Sequence, residues 1–503
     1  MKLNDLLAEV DYISIAGDRE TEVEAVVYDS RKAVCGALFV CISGQFQDGS
    51  DYILSAVQAG ARVIVVERWT DVLEKTPGEV TVVMVRDARA ALAQIAAAWF
   101  GYPAGKLVTI GLTGTKGKTT TAHMIKKILE MAGKKVGMIG TMGAFVGAEK
   151  IPVKNTTPES YELHALFARM LEEGCGYVVC EVSSQGLKQG RTRGIVFDYG
   201  AFLNISPDHI GEGEHADFEE YLACKKKLCD QTKHTVVNIE DPHWQEMLRE
   251  RSVEGLVTVS AKGEADLYAS QIENLWEPGF LGATFHMSGL VEGEMALGMP
   301  GRYNVENALV AAAITAGLGI STDCIRNGLR EVWVKGRTQV LQCASHISTF
   351  LIDYAHNALS MESLLQMLKG YHPDRLICLF GAGGNKPKQR RFDMGSMAGK
   401  YADLTILTTD NPRYETVEQI NAAIIEGLDA YGGTYQVIED REEAIHYLLD
   451  HCGSRDIVAF IGKGHEEYQE IQGVKYHFSE EEVVESYVKE RKLTQLMQAQ
   501  GIK

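Results

Sequence analysis

The 503-residue chain has no apolar run approaching the roughly 20 residues needed to cross a bilayer, and its opening, MKLNDLLAEVDYIS, carries acidic residues where a signal peptide is basic. A cytoplasmic protein with no membrane partner is expected. Positive charge is also scarce: Lys and Arg number 50 against 68 Asp and Glu, a formal net charge of -18. That balance opposes general attraction to nucleic acid or anionic lipid, so an anionic ligand has to be held by local donors. The ten cysteines contain no C-x-x-C, and the closest pairs, Cys175/Cys180 and Cys224/Cys229, each enclose four residues. Buried free thiols are the plain reading, with zinc or a disulfide as the alternatives. There is no internal repeat and no low-complexity tract.

With 45% hydrophobic residues the chain can bury several cores, and its length points to about three domains. Short apolar runs at Ala25–Tyr28, Ala37–Ile42, Ala61–Val66 and Val80–Val85 alternate with turns and helical patterns, as in a small α/β domain over residues 1–105. Tyr102-Pro103-Ala104-Gly105 punctuates the chain. A second domain, 106–336, repeats strand, loop and helix through Leu107–Leu112, Tyr177–Val182, Gly200–Asn204 and Thr235–Asn238 and closes with the helical run Val305–Ala316. This is the pattern of a parallel-sheet nucleotide domain. A third domain, 337–503, restarts with buried-strand patterns at Thr349–Asp353, Leu376–Phe380, Leu404–Thr408 and Ile457–Ile461, and reads as doubly wound and Rossmann-like. The tail from about Glu480 is a charged helix pattern of no evident function.

The sharpest local signal is Val108-Thr-Ile-Gly-Leu-Thr-Gly-Thr-Lys-Gly-Lys-Thr-Thr-Thr121, a strand entering a glycine loop and then a helix that ends near Gly133. Gly114 and Gly117 let backbone N–H groups converge on phosphate oxygens, while the helix N-terminus adds partial positive charge. Lys118 reaches the β- and γ-phosphates, and Thr119 or Thr120 offers a hydroxyl to Mg²⁺. Five residues separate Gly111 from Gly117, so the strict G-x-x-x-x-G-K-[ST] pattern is missed and the shorter G-x-x-G-K-T form is met. Glu181, at the C-terminal end of a strand beside this loop, is placed to ligate Mg²⁺.

The stretch Gly114-Thr115-Lys116-Gly117-Lys118-Thr119-Thr120 resembles the G-T-N-G-K-T-T loop of the Mur ligase family, with Lys116 in place of Asn. Further matches follow in family order from residue 29 to residue 478, most similar to the MurE branch that adds the third amino acid of the muramoyl peptide. Asp29-Ser-Arg-Lys32 and Gly44-Gln-Phe-Gln-Asp-Gly49 resemble its uridine-nucleotide segments, which implies contacts from Ser30, Gln45, Phe46 and Gln47. Asn155-Thr-Thr-Pro158 and Glu181-Val-Ser-Ser-Gln-Gly-Leu-Lys-Gln-Gly-Arg191 resemble its muramoyl-peptide loops, implying Asn155, Thr156, Thr157, Ser183, Gln189 and Arg191 as acceptor ligands. Neutral amides and hydroxyls suit sugar and peptide groups, and an Arg fork suits a carboxylate or phosphate.

Asn204-Ile-Ser-Pro-Asp-His209 and Glu219-Glu-Tyr-Leu-Ala-Cys-Lys225 resemble the family's second metal region, in which His209 matches a metal ligand and Lys225 the lysine carbamylated by CO₂. A carbamate turns a cationic amine into an anionic oxygen ligand. The loop 210–218 is about two residues longer than the family pattern, leaving Asp208 and His215 without a role. On the ATP side the resemblance implies Gly114 to Thr120, Asn307, Arg337 and Asp353.

Three loops match the family's amino-acid signatures: Asp353-Tyr-Ala-His356, Asp410-Asn411-Pro412-Arg413 and Gly462-Lys-Gly-His-Glu466. The D-N-P-R tetrapeptide is similar to that of enzymes adding meso-diaminopimelate, which makes Arg413 the discriminating residue; after His356 the chain reads Asn-Ala-Leu-Ser instead of T-P-D-A. Arg391 is expected to be a second guanidinium for a substrate carboxylate, with Glu466 and the Gly462 carbonyl facing an ammonium group. The implied activity is ATP-dependent amide ligation through an acyl phosphate, with ATP and two Mg²⁺ ions held through Lys118, Thr119, Glu181, His209 and carbamylated Lys225. A monomer acting on small molecules is expected, with closure of the last domain over the ATP domain. The alternatives are a lysine-adding ligase, a folylpolyglutamate synthetase, a catalytically silent nucleotide-binding relative and a generic phosphate-loop ATPase.

Overall fold

The computed structural model describes residues 1–44, 47–147, 149–211, 213–248, 255–344 and 347–499. They form two compact units, one from Met1–Tyr268, Ser288–Val291 and Glu306–Gly328, the other from Ala269–Met287, Glu292–Val305 and Leu329–Lys503.

The first unit holds two sheets. Strands β1 (Tyr12–Ala16), β2 (Ala25–Val27), β3 (Ala37–Val40), β4 (Val63–Val66) and β5 (Thr81–Val85) are ordered β1-β5-β4-β3-β2, parallel except for β1. Every residue of β3 and β4 is buried, as expected for strands covered on both faces. Leu38, Val40, Val63 and Val65 pack on helix Ala88–Trp99, whereas Phe39, Ile64 and Val66 pack on helix Ile53–Gln58.

The second sheet of this unit comprises β6 (Val108–Thr113), β7 (Val136–Gly140), β8 (Gly143–Val146), β9 (Glu149–Ile151), β10 (Tyr177–Glu181), β11 (Phe197–Phe202), β12 (Thr232–Asn238) and β13 (Leu256–Ser260). The order β13-β12-β11-β6-β10-β7 is parallel, and β8 and β9 extend it antiparallel. The C-terminal ends of β6, β7, β10 and β11 therefore deliver Gly114, Thr141, Glu181 and Asn204 to one edge, where ligands bind in such sheets. Strand β11 begins at Phe197, earlier than the expected Gly200, because Asp198 and Gly200 interrupt its apolar pattern; the Asp198 carboxylate is taken up by Thr109 N at 2.8 Å and Lys233 Nζ at 2.7 Å.

Strand β14 (Leu267–Glu277) starts beside β13 and continues into the second unit, where β15 (Phe280–Gly289) and β16 (Gly293–Leu297) pair antiparallel. The main sheet there runs β17 (Gln339–Val340), β18 (Thr349–Asp353), β22 (Ile457–Ile461), β19 (Leu376–Phe380), β20 (Leu404–Leu407) and β21 (Tyr435–Val437), parallel apart from β17. Helices Ala358–Lys369, Lys388–Tyr401 and Val417–Asp429 cover one face through Leu365, Met394 and Ile424, and helices Arg441–His451 and Glu480–Ala499 the other through Ile445, Leu448 and Val484. A hairpin, β23 (Tyr468–Ile471) and β24 (Val474–His477), follows β22. All ten cysteines are free thiols. Among the described residues no helix is long and apolar enough to cross a membrane.

Candidate active site

The phosphate loop leaves β6 and turns into helix Lys118–Met131. Gly117 has φ +88°, and a Cβ there would lie 2.4 Å from Asn307 Oδ1, so a glycine is required on both counts. Asn204 braces the loop: its carbonyl accepts from Thr115 N at 2.9 Å and its Oδ1 from Lys116 N at 2.9 Å. Lys116 thus serves through its backbone N–H. Lys118 Nζ donates to Gly114 O at 2.6 Å and Thr115 O at 3.2 Å, folded back over the loop. Thr120 is buried in the same helix.

Glu181 is buried and receives Thr119 Oγ1 at 2.9 Å, Thr141 N at 3.1 Å and Thr141 Oγ1 at 3.2 Å. Burial raises its carboxyl above the ordinary range, against the pull of Lys118 and these donors. A carboxylate flanked by hydroxyls beside a phosphate loop is the hard-oxygen environment that Mg²⁺ takes. Lys225 is 1% exposed, donates to Gly114 O at 2.8 Å and lies over the Tyr221 ring at 4.6 Å. Burial first, and the charge of Lys118 second, push its pKa well below that of an ordinary lysine. His209 has φ 55° and its Nδ1 lies 3.1 Å from Glu214 Oε1, with its ring 6.3 Å from that of Tyr221. The set Thr119, Glu181, His209 and Lys225 is therefore only partly assembled: Thr119 and Glu181 touch, while His209 is engaged by Glu214. Among the described residues no group of three or more His, Cys, Asp or Glu side chains is arranged around a metal.

The loops expected to hold the acceptor are knit together. Thr157 Oγ1 bonds Glu181 O at 3.0 Å and Ser183 Oγ at 3.1 Å, Thr156 Oγ1 meets Thr141 Oγ1 at 3.0 Å, and Ser183 caps helix Ser184–Lys188 by accepting from Gly186 N. Arg191 donates to Thr157 O at 2.7 Å and Gln189 Oε1 at 2.6 Å. Ser30, Gln47, Asn155, Gln189 and Arg191 line a single cavity of about 1110 Å³, with Lys32, Arg89, Lys154 and Arg169 in its wall. Gln45 and Phe46 lie outside the described residues.

In the second unit, Asp353 accepts from Thr338 N and Ala355 N, both at 2.8 Å, and burial raises its carboxyl. Arg337 sits over the Tyr354 ring at 5.1 Å. Asp410 and Asn411 meet the Gly462–Glu466 loop: Lys463 Nζ lies 3.3 Å from Asp410 Oδ1, and Asn411 Nδ2 donates to Glu466 Oε2 at 2.9 Å. Burial raises the Glu466 carboxyl. Arg413, with φ 53°, is clamped by its backbone to the β23 strand and donates to Gly384 O at 3.1 Å and Glu470 Oε2 at 3.2 Å. Pro412 holds the turn between Asn411 and Arg413; its N lacks a proton and its carbonyl accepts from Glu415 N at 3.0 Å. Arg391, expected to offer its guanidinium to a substrate carboxylate, has it engaged by Glu415. It is 1% exposed and bidentate to Glu415, at 2.7 Å to each oxygen, because a buried guanidinium needs a carboxylate partner.

Three family models match in chain order: Mur ligase family, catalytic domain over 22–100, Mur ligase middle domain over 112–315, and Mur ligase, glutamate ligase domain over 336–464. The UDP-N-acetylmuramoyl-L-alanyl-D-glutamate--2,6-diaminopimelate ligase of Caldanaerobacter subterraneus subsp. tengcongensis is 41% identical, covering 97% of this chain and 99% of its own. The chain belongs to the Mur ligase family. A Clostridium perfringens protein of the same name is 37% identical over 96% of this Mur ligase and 99% of itself. A solved structure of a ligase so named superposes with a TM-score of 0.75, at 27% identity over 98% of this chain and 99% of that one. The family membership carries ATP-dependent amide-bond formation on a three-domain α/β scaffold.

Several contributors to this Mur ligase site were not picked out from sequence. Thr141 completes the Glu181 shell, and Gly140 makes room for it, since a Cβ there would lie 2.0 Å from Glu181 Oε1. The position of the pair at the C-terminal end of a buried strand is the available signal. Glu159, which holds Arg89 at 3.0 Å and Arg191 at 3.1 Å, gave no local sign. His215, singled out in the sequence but left there without a role, is buried and bonded to Ser184 Oγ at 2.9 Å, and its backbone pairs with His209 and Gly211, so it anchors the lengthened loop.

Proposed function

We propose that this Mur ligase joins meso-2,6-diaminopimelate to the D-glutamate γ-carboxylate of UDP-N-acetylmuramoyl-L-alanyl-D-glutamate, at the expense of ATP, as a step of peptidoglycan precursor synthesis. The observation that carries the choice of amino acid is Arg413: its left-handed backbone is fixed by the β23 strand, and its guanidinium stands beside Gly384 in the loop following β19. A planar fork of that kind suits the second carboxylate of diaminopimelate, which lysine lacks.

The chemistry follows from an inert acceptor. A carboxylate does not accept an amine at neutral pH, so its oxygen first takes the γ-phosphoryl group of ATP, and phosphate then leaves as the amine attacks. The N–H groups of Gly117 and Lys118 and the Lys118 ammonium balance the charge on the phosphates, while those of Thr115 and Lys116 hold the loop to Asn204. Asn307, Arg337 and Asp353 hold the nucleotide. Ser30, Gln45, Phe46 and Gln47 hold the uridine end of the acceptor, and Asn155, Thr156, Thr157, Ser183, Gln189 and Arg191 its muramoyl-peptide end. Asp410, Asn411, Pro412, Arg413, Gly462 and Glu466 orient the amino acid so that its amine faces the acyl carbon. Arg391 shapes their surroundings through Glu415. Bound Mg²⁺, held by Thr119 and Glu181 and, at a second site, by His209 and a CO₂-derived carbamate on Lys225, would screen the phosphate charge. The domains run over 1–105, 106–336 and 337–503, and the protein works in the cytoplasm as a monomer.

Phosphate release measured with the UDP-muramoyl dipeptide and either diaminopimelate or lysine tests this reading. Release that requires both substrates and prefers diaminopimelate is expected. Equal or greater release with lysine would reassign the substrate, and release without any amino acid would point to a plain ATPase.

A further inference from the structure

The charged helix that begins at Glu480 and had no evident function in the sequence is tied to the amino-acid loops through a buried ion pair. Arg441 and Glu480 have side chains 0% and 2% exposed, and Arg441 Nε and Nη2 donate to Glu480 Oε1 at 3.0 and 2.7 Å. The rest of the guanidinium is not spent on Glu480. Nη1 donates to Thr409 O at 3.2 Å and Nη2 to Ile461 O at 3.4 Å. Thr409 immediately precedes Asp410, and Ile461 immediately precedes Gly462. One planar group therefore bonds the last carbonyl before each of the two loops that carry Asp410 to Arg413 and Gly462 to Glu466.

The surrounding bonds give this group a fixed seat. Thr409 N donates to Glu439 O at 3.0 Å, and Asp440 caps helix Arg441–His451 by accepting from Glu443 N at 3.0 Å, so the start of that helix is locked against the strand end. The neighbouring acid of the same terminal helix, Glu481, accepts from Gln339 Nε2 at 2.9 Å, and Gln339 Oε1 in turn accepts from Gly336 N at 2.9 Å, next to Arg337. Consecutive acids at one helix start thus reach the amino-acid loops and the Arg337 segment. Burying two charges costs desolvation that an apolar pair of the same volume avoids, so packing alone does not call for this pair. What an apolar pair cannot do is bond the carbonyls of Thr409 and Ile461 together.

We propose that Arg441, charge-balanced by Glu480, is a positioning residue for amino-acid recognition: it sets the spacing of the Asp410–Arg413 and Gly462–Glu466 loops. The inference rests on the function proposed above, and the two fail separately: a wild-type enzyme without amino-acid-dependent phosphate release refutes the function, not the pairing.

The test compares wild type, Arg441→Lys and the double variant Arg441→Met/Glu480→Met by thermal unfolding and by steady-state phosphate release. Lysine keeps the charge and loses the fork; the double methionine removes both charges and keeps the volume, so it folds even where Arg441→Lys does not. Expected is a rise in KM for the amino acid of about ten- to a hundredfold in every folded variant, with KM for ATP within about twofold of wild type. The double variant, which buries no charge, is expected to unfold at a temperature no lower than that of Arg441→Lys, without recovering the amino-acid KM. A double variant whose amino-acid KM returns to wild type with its stability would make the pair merely structural and overturn the proposal, as would equal rises in all three substrate KM values.

Discussion

Lys118 and Lys225 donate to the same oxygen, the carbonyl of Gly114, at 2.6 and 2.8 Å. Two ammonium groups on one acceptor repel, and Lys225 is the more deeply buried, so it is the amine whose charge is suppressed. A neutral amine is the form that adds to CO₂. Incubation with ¹³C-bicarbonate is expected to give a carbamate resonance in the wild type that is absent from Lys225→Met, and the variant is expected to lose activity by about a hundred- to a thousandfold. An active Lys225→Met enzyme, or an unchanged resonance, would contradict this.

The Lys118 ammonium folds back over the loop onto Gly114 O and Thr115 O, so Lys118→Ala is expected to lower kcat/KM by about a thousandfold or more while the fold is retained. Circular dichroism and steady-state rates measure both. Retention of normal turnover would remove the loop from the chemistry.

The ease with which this loop was found in the sequence has a physical reason. Backbone functions need glycines at fixed offsets, and a strand–loop–helix transition changes the apolar period, so Val108 to Thr121 announces itself. The parallel strands β3, β4, β19 and β22 were equally plain because both of their faces are buried. The edge strand β1, mostly exposed, and the β15–β16 pair carried no such uninterrupted run. Side-chain pairing was the least legible layer: nothing near Arg391 in sequence reveals that Glu415 takes its guanidinium, and nothing near Arg441 points to Glu480. Such partners are set by which helices the fold lays side by side. The shell around Glu181 illustrates the same point, since Thr141 reaches it only because β7 and β10 are neighbours.

Gly140 keeps that shell open. With a Cβ 2.0 Å from Glu181 Oε1, Gly140→Ala has to displace the carboxylate. The Mg²⁺ concentration for half-maximal rate is expected to rise by about tenfold, the effect of losing one well-placed ligand contact. A titration of rate against Mg²⁺ that superposes on the wild-type curve would show that Glu181 does not serve the metal.

Arg413→Lys keeps charge and loses the fork. A charge-assisted hydrogen bond lost to one carboxylate predicts a rise in KM for diaminopimelate of about ten- to a hundredfold, with lysine affected far less. Parallel assays of the two amino acids measure it, and equal effects on both would deny Arg413 its discriminating role.

Glu415 has its carboxyl lowered from 4.5 to about 2, first by the Arg391 hydrogen bonds and then by Asn385 N. A carboxylate depressed in the folded state contributes stability that is complete above the unfolded value and is lost as pH falls through the folded one. Glu415→Gln is therefore expected to flatten the acid limb of the stability profile between pH 4.5 and about 2. At pH 7 it leaves Arg391 without its counter-charge, at a cost of about 2 kcal/mol given that Glu415 is partly solvated. Urea unfolding across that pH range measures both effects; an unchanged acid limb would contradict the pairing.

The acyl-phosphate route leaves an isotopic trace. If the acceptor's γ-carboxylate is labelled with ¹⁸O, the oxygen that takes the phosphoryl group departs with the phosphate when the amine attacks. Mass analysis of the phosphate released by the wild-type enzyme with ATP, labelled UDP-muramoyl dipeptide and diaminopimelate is expected to find one ¹⁸O per phosphate derived from a labelled attacking oxygen. Unlabelled phosphate would mean that water, not the carboxylate, receives the phosphoryl group, and the ligase mechanism would be wrong.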